Sequence, residues 1–302
     1  MGKACRRKHR RGRTRHLTAS CRPDFAGGSH GLPGYSVRDR WRRRDDHAEP
    51  AQIPQCAELP DVGRNRRGVR TAGNDTSVRV VVIRGAGGTF SSGHDLGTPE
   101  ALEYREALGA APGTIEAYDQ FKKYNLDLHL RWRNFPKPTV AMVEGYCIYA
   151  GWMLAANCDV VFAASSAEFL AGFVEYMSIP WDIGIRRAKE LCFESRFISA
   201  QEACDFGFVN RVVAPSELEK ETYSYAHRVA ENSPDALRFA KIQMNKAQDA
   251  QGFTNALEDS LGDYQAMMYL LGREQMRVGG QRRLLTVDLA VKGRKRERYG
   301  QN

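Results

Sequence analysis

From Val78 onward, apolar positions fall into two alternating textures. Short β-branched runs of strand length are followed by longer stretches with helical spacing. Val78 to Arg84 is the first such run, closed by the turn Gly85-Ala86-Gly87-Gly88. Thr98 to Trp132 then shows helical spacing (Leu102, Tyr104, Leu108; Ile115, Tyr118, Phe121, Leu126, Leu130) and is broken at Pro112-Gly113, which predicts two helices and a loop. Pro136-Lys137-Pro138 introduces a second buried strand, Thr139 to Val143. Gly145 turns the chain toward a short helix from about Ala150 to Asn157, and Val160 to Ala164 is a third strand. Strand, turn, helix and strand at this spacing predict right-handed βαβ-type units in an α/β layer.

After Arg186 the pattern is helical: 186–193, 199–206, 216–232, and a long stretch from Pro234 to about Leu271, with Ser199 and Ser233 placed as helix caps. Residues from about 216 to 302 therefore form a helical C-terminal part that packs on the core or mediates assembly. The basic run Lys292 to Arg298 is expected to be a solvated tail.

Charge changes the picture of the first quarter only. Residues 1–72 hold 18 Lys+Arg against 7 Asp+Glu, a formal +11, whereas residues 73–302 hold 27 against 29, a formal −2. The 230-residue remainder is enough for one sizeable core. A uniformly basic nucleic-acid-binding domain is excluded. No window approaches the roughly 18 consecutive apolar residues of a membrane span, and the start lacks the apolar stretch of a secretory signal, so a soluble cytoplasmic protein without a membrane partner is expected. The seven cysteines show neither paired metal-ligand spacing nor the density of a disulfide scaffold, and are expected to be reduced thiols.

Residues 1–72 carry 16 Arg and 2 Lys, almost no hydrophobic periodicity, and scattered acids that fit neither a basic arm nor a transit peptide. A gene rich in G and C, translated out of frame, yields this composition. Shifting the frame by one base, with free choice of synonymous codons, lets Asp46 through Pro60 read I-T-L-N-R-P-K-Y-R-N-A-Q-S-S-R, and Asp61 through Thr71 read M-L-G-E-T-D-A-A-F-E-R. That is a strand, a turn and an amphipathic helix. The segment is therefore expected to be frameshift-derived, disordered and not part of the fold, leaving 73–302 as the domain with an uncovered sheet edge at its first strand.

Four segments together resemble the crotonase superfamily, the enoyl-CoA hydratase/isomerase family. They are Val80 to Leu96 (V-V-V-I-R-G-A-G-G-T-F-S-S-G-H-D-L), Pro136 to Ala164 (P-K-P-T-V-A-M-V-E-G-Y-C-I-Y-A-G-W-M-L-A-A-N-C-D-V-V-F-A-A), Arg187 to Val213, and Ser233-Pro234 followed by Ala240-Lys241. The resemblance implies an α/β fold with a ββα spiral core and a C-terminal helical region that builds trimers or dimers of trimers. It implies an acyl-CoA thioester as partner and coenzyme A only as part of the substrate, with no cofactor, no metal and no nucleic acid.

The chemistry implied is physical in origin. Two backbone N–H groups aimed at a thioester oxygen stabilise the enolate or oxyanion more than the ground state, and so lower the barrier. By resemblance these are the amides of His94 and of Ala150, the latter at a helix start beside Gly151. Only the backbone of His94 is implied, although its imidazole titrates in a useful range. Ser92, Asp95, Leu96, Tyr146, Gly151, Trp152 and Met153 are the expected substrate-binding positions, and Trp152 and Trp181 are expected to line or underlie an acyl pocket.

The chain departs from a hydratase at its acid/base positions, and the family's P-G-x-G-G-T-Q-R-L element is replaced by Ile179-Pro180-Trp181-Asp182-Ile183-Gly184. Hydratases resembling it use two Glu side chains to hold and deprotonate water. Met153 occupies the first of these positions, and a thioether exchanges no proton. The nearest candidate for the second is Glu175, which is either catalytic or a solvated loop carboxylate. Asp182 is the other candidate, either catalytic, as in some relatives such as chlorobenzoyl-CoA dehalogenases and naphthoyl-CoA synthases, or the N-cap of the helix through Arg186. The expectation is a hydratase-like lyase of acyl-CoA thioesters. The alternatives are an isomerase, hydrolase or decarboxylase of the same family, or a non-catalytic acyl-CoA binder.

Overall fold

The computed structural model describes residues 18–19, 73–76, 78–85, 87–94, 109, 113–271, 277–278, 281–282 and 290–293. Apart from Thr18–Ala19, the expectations for residues 1–72 lie outside the described residues, as do those for the first predicted helix and for the basic run beyond Gly293.

The elements in chain order are β1 (Thr18–Ala19), β2 (Val81–Arg84), α1 (Ile115–Lys122), a π-helical stretch Lys123–Asp127, α2 (Leu128–Arg133), β3 (Thr139–Val143), β4 (Tyr146–Ile148), α3 (Ala150–Ala156), β5 (Val160–Ala164) and β6 (Glu168–Leu170). They continue with α4 (Ile179–Ile183), α5 (Ile185–Glu194), β7 (Ile198–Ser199), α6 (Ala200–Asp205), β8 (Arg211–Val213), α7 (Leu218–Ala230), α8 (Pro234–Ala250), α9 (Phe253–Leu271) and the antiparallel pair β9 (Arg277–Val278) and β10 (Gln281–Arg282). One sheet is parallel throughout in the order β1-β2-β3-β5-β8, and a second of three strands runs β4-β6-β7. On the outer side of β2 stands the two-residue β1, in register Thr18 with Val82.

Every residue of β3 is buried. That is the pattern of a strand covered on both faces, and it explains why Thr139 to Val143 reads as a continuous apolar run. On one side pack Val81, Ile83, Ala141, Val161 and Trp152; on the other, Val82, Val140, Phe162 and helix α7 through Leu218 and Ala226.

The helical C-terminal region is tied to the sheet by polar groups. The nearly buried Lys241 ammonium of α8 pairs with Asp159 Oδ2 at 2.9 Å, and the same oxygen accepts from the Thr139 hydroxyl and amide. Arg133 at the end of α2 donates to Asn245 O and Gln248 Oε1, pairs with Asp249 at 3.0 Å, and lies over the Phe253 ring. These contacts fix where α8 ends and α9 begins. The sequence predicts a single helix from Pro234 to Leu271; Gly252, at φ +97, breaks it in two. Ser199 and Ser233 cap α6 and α8 as expected, accepting from Glu202 N and Ala236 N.

Candidate active site

Two glycines bring the segment Ser91–His94 against the start of α3. Ser91 bridges Cys147 in parallel, donates its N–H to Tyr146 O, and accepts from Ile148 N at 2.9 Å. Gly93 has φ +97, and a Cβ there would stand 3.2 Å from Ile148 O and 3.8 Å from Ala150 N. At Gly151 a Cβ would meet Ser91 O at 2.8 Å. Side chains at either position would push the two segments apart. Because they are absent, the backbone of Gly93, the residue before His94, lies against that of Ala150, and Ala150, the first residue of α3, has no acceptor for its N–H within the helix. Beside them the Ser92 Oγ is buried without a hydrogen-bond partner.

The residue that aims Ala150 is Tyr149, at φ 47 and ψ −101. A non-glycine residue there costs roughly 1–3 kcal/mol and persists only when its surroundings over-determine it. They do so here. Its N–H donates to Leu170 O, its carbonyl accepts from Met153 N, and its ring fills the space over Gly172, where a Cβ would fall 1.9 Å from Tyr149 Cε1.

A group of titratable side chains beside this turn is assembled from four distant pieces of chain. His94 Nε2 stands 3.5 Å from Glu175 Oε2. Glu175 is 6% exposed, which removes the reading of a solvated loop carboxylate. Burial by itself would raise its pKa, but the facing charge of His94 and the donors His94 and Tyr264 outweigh burial and leave it lower than usual. Tyr264, from α9, is in turn pushed up by burial and by the charge of Glu175, so it stays a hydroxyl donor. His129 completes the group from α2. Burial and the neighbouring His94 push its imidazole down to about 4, against the opposite pull of Glu175, so it is neutral near pH 7. Its Nδ1 is buried without a partner, and its ring lies 5.3 Å from that of Tyr176. His129 stands two residues after the π-helical stretch 123–127, a distortion that often accompanies functional sites.

The remaining predicted positions separate. Met153 is fully buried in the cluster that joins α3 to α9 through Leu170, Val174, Tyr176, Phe253 and Leu257. Trp152 is sealed in the main core, stacked on Phe208 at 4.0 Å, its indole N–H spent on Asp182 Oδ2 at 2.8 Å. Neither presents accessible surface. Trp181 is half-buried against Phe253, and Tyr146 half-buried beside Phe197. Asp95 and Leu96 lie outside the described residues.

Asp182 is not the N-cap of α5; Gly184 holds that position. Its carboxylate instead turns inward, accepting from both Trp152 Nε1 and Ser178 Oγ through Oδ2. Burial pushes its pKa up to about 7, against the lowering effect of those two donors. His129, Tyr264 and the conformation of Tyr149 escape the sequence. A His on the apolar face Leu126-Leu130 reads as core, and nothing in the pattern of α9 marks Tyr264. Among the described residues no cluster of His, Cys, Asp and Glu is arranged to hold a metal ion, and no helix is long and apolar enough to cross a membrane.

A family model described as enoyl-CoA hydratase/isomerase matches residues 68–270. A Mycobacterium tuberculosis relative that carries an enoyl-CoA hydratase name, EchA13, is 35% identical over 204 residues, 61% of this chain; the chain spans 64% of that relative's length. A solved structure from Mycobacterium smegmatis, described as a probable enoyl-CoA hydratase, is 34% identical with a TM-score of 0.63 over 70% of this chain and 84% of that one. An enoyl-CoA hydratase/isomerase from Xanthobacter autotrophicus Py2 is 27% identical with a TM-score of 0.66 over 79% of this chain and 89% of that one.

Proposed function

The chain belongs to the enoyl-CoA hydratase/isomerase family, and we propose that it processes an acyl-CoA thioester whose carbonyl oxygen sits between the N–H groups of His94 and Ala150. The observation that carries this is the glycine-mediated approach of the Gly93–His94 backbone to the strained turn before Ala150. Donors held in place by packing cost no reorganisation when charge develops on the oxygen, and each such donor is worth roughly 10²–10³-fold in rate. Ser92, Tyr146 and Gly151 border the same turn, and coenzyme A enters as part of the substrate rather than as a cofactor.

Glu175 supplies the carboxylate of the proton chemistry. A hydratase-like addition of water is one outcome. Met153 favours a second, double-bond isomerisation: shuttling one proton between two carbons needs one base, whereas holding and splitting water draws on two. A cytoplasmic enzyme assembled as trimers or hexamers completes this reading, with exposed Phe239 and Met244 of α8 as surface for assembly.

The test is turnover of a short and a long trans-2-enoyl-CoA (hydration) and of a trans-3-enoyl-CoA (isomerisation), with Glu175→Gln beside the unaltered chain. Isomerisation faster than hydration, lost in the variant, supports the one-base reading. Hydration lost in the variant makes this a hydratase working with one Glu. Binding without either reaction leaves a pure acyl-CoA binder.

A further inference from the structure

We propose that Arg133 is a positioning residue for Glu175, holding α9 at the one register along α1 and α2 that brings the Tyr264 hydroxyl to that carboxylate. The role matters for catalysis through the acyl-CoA reading above, on which it rests. Gly252, at φ +97, separates α8 from α9, and a glycine in that conformation leaves the angle between two helices to be set by side chains. The guanidinium of Arg133 sets it by gripping both sides of the break. Toward α8 it donates to Asn245 O at 2.9 Å and to Gln248 Oε1 at 2.9 and 3.2 Å, and pairs with Asp249 at 3.0 Å. Toward α9 it lies over the Phe253 ring at 4.4 Å. Asp249 Oδ1 also accepts from the Thr254 hydroxyl at 2.8 Å, so the same carboxylate ties down the first turn of α9. The Asn245 side chain returns the grip by donating to Arg133 O at 3.2 Å. Arg133 is 5% exposed, and a charge so buried is tolerated because these partners take up its donors.

The spacing of contacts along the helices turns this clamp into a register. α1, the π-helical stretch and α2 form one continuous rod, because the residues at both joints are right-handed helical. α9 runs antiparallel to it. Phe121, near the beginning of the rod, stacks on Tyr264 at 6.0 Å, and Arg133, at its end, meets Phe253 at the start of α9. Twelve residues separate the two contacts on the rod and eleven separate them on α9, and the π-helical stretch, with more residues in each turn, takes up the difference. A slip of α9 by one residue would turn it by about 100° and carry the Tyr264 hydroxyl away from Glu175. The clamp also reaches Glu175 through its chain neighbour. Tyr176 is fully buried, with its ring 5.3 Å from that of His129 and 6.2 Å from that of Phe253, and His129 lies one turn before Arg133 on α2. Among the described residues, the titratable side chains acting on Glu175 are His94, Tyr264 and His129; burial raises its pKa, and donation from Tyr264 works against burial alongside His94. Arg133 spends its donors on α8 and its face on α9, so its influence on the carboxylate runs through the placement of Tyr264.

The experiment uses the full chain and reads the Glu175 carboxyl itself, by ¹³C NMR titration of protein labelled at the Glu side-chain carboxyls, the resonance being identified by its loss in Glu175→Gln. Turnover of the enoyl-CoA handled fastest is followed against pH, and butyryl-CoA affinity is measured by calorimetry. Arg133→Lys keeps a positive charge beside Asp249 but loses the planar fork that spans the glycine. The Glu175 pKa should rise, the acid limb of turnover should move to higher pH with it, and turnover should fall by about 5- to 10-fold while butyryl-CoA affinity stays within about 3-fold. Tyr264→Phe should displace the pKa in the same direction, and adding Arg133→Lys to it should move the pKa no further. Phe253→Leu, which takes away the ring beneath an unaltered Arg133, should also raise the pKa, and it carries the test if urea denaturation shows that Arg133→Lys does not fold. A Glu175 pKa that stays in place in folded Arg133→Lys overturns the proposal whatever happens to turnover, since a merely structural arginine lowers activity without moving that titration. Displacements that add in the double variant overturn it as well, because Arg133 would then act by a route other than Tyr264. The expected displacements in a chain that neither binds butyryl-CoA nor turns over an enoyl-CoA would uphold the positioning role and overturn the acyl-CoA reading alone.

Discussion

Glu175 and Asp182 stand seven residues apart on the same passage from β6 into α5, both are carboxylates turned inward, and their electrostatics are opposite. Glu175 is held below the usual carboxylate range although burial opposes it; Asp182 is pushed up to about 7 although two donors oppose that. The difference lies in the partner. Glu175 faces a side chain that can carry positive charge, together with a phenol, whereas the Asp182 carboxylate accepts from an indole and a hydroxyl. Neutral donors bonded to a carboxylate in a low-dielectric site return part of its lost hydration; a cation returns more. One passage of chain therefore yields a carboxylate held low beside the proposed oxygen-binding turn and, in α4, one pushed up to about 7 in the core.

The largest test of this contrast is activity. Glu175→Gln should lower turnover of the preferred enoyl-CoA by about 10²-fold, whereas Asp182→Asn should change it less than about 3-fold, in steady-state assays at pH 7.5. Equal losses would erase the distinction between the two acids. Next in size is Tyr264→Phe. Removing a hydroxyl bonded to a carboxylate costs roughly 1.5–3 kcal/mol of support for the charged form. Turnover should fall by about 10-fold or somewhat more, and its acid limb should move as the Glu175 pKa rises. An unchanged profile would mean that Glu175 does not act through the anion that Tyr264 stabilises.

The strands β2, β3 and β5 and the caps at Ser199 and Ser233 were legible because each is a local signal: a continuous apolar run, or a hydroxyl ahead of a helix. The proposed oxygen-binding turn was legible through Gly93 and Gly151, whose missing side chains the close approach requires. The proposed acid/base group was not, because its members come from four separate segments. Glu175 has no meaning until His94 is placed against it across 81 residues, and Tyr264 joins only because Arg133 fixes the start of α9. Asp182 misled for a related reason. An Asp two residues before a glycine and a helix is good local cap chemistry, but a buried indole N–H that needed an acceptor took the carboxylate instead.

The third test concerns stability. In the folded chain Asp182 titrates near 7, and unfolded near 3.8, so between these pH values the folded state binds the extra proton. Stability contributed by this group is therefore present at low pH, falls as pH rises from about 4 to about 7, and flattens above. Asp182→Asn, whose Oδ1 can still accept from Trp152 and Ser178, should remove that slope and raise stability at pH 8 by on the order of 1–3 kcal/mol, read by urea denaturation. A variant less stable at pH 8 would show that the ionised carboxylate is a net stabilising group.

The smallest effect is also the most discriminating, because its dependence on pH, and not its size, carries the information. Ser178 is buried and donates to Asp182 Oδ2 at 2.8 Å. Ser178→Ala takes one of two donors from the carboxylate, so the folded pKa should climb further and the pH window of declining stability should extend above 7. At pH 8 the variant must hold either an anion with a single donor or a proton taken against the solution pH. The expected cost there is about 1 kcal/mol. At pH 5 the acid is already protonated in the folded state and depends less on Ser178, so the cost should be smaller. Denaturation curves at the two pH values distinguish the cases. A larger loss at pH 8 places a titrating acid in the core, whereas equal losses would mean that Asp182 keeps one charge state throughout and that its contrast with Glu175 is one of position alone.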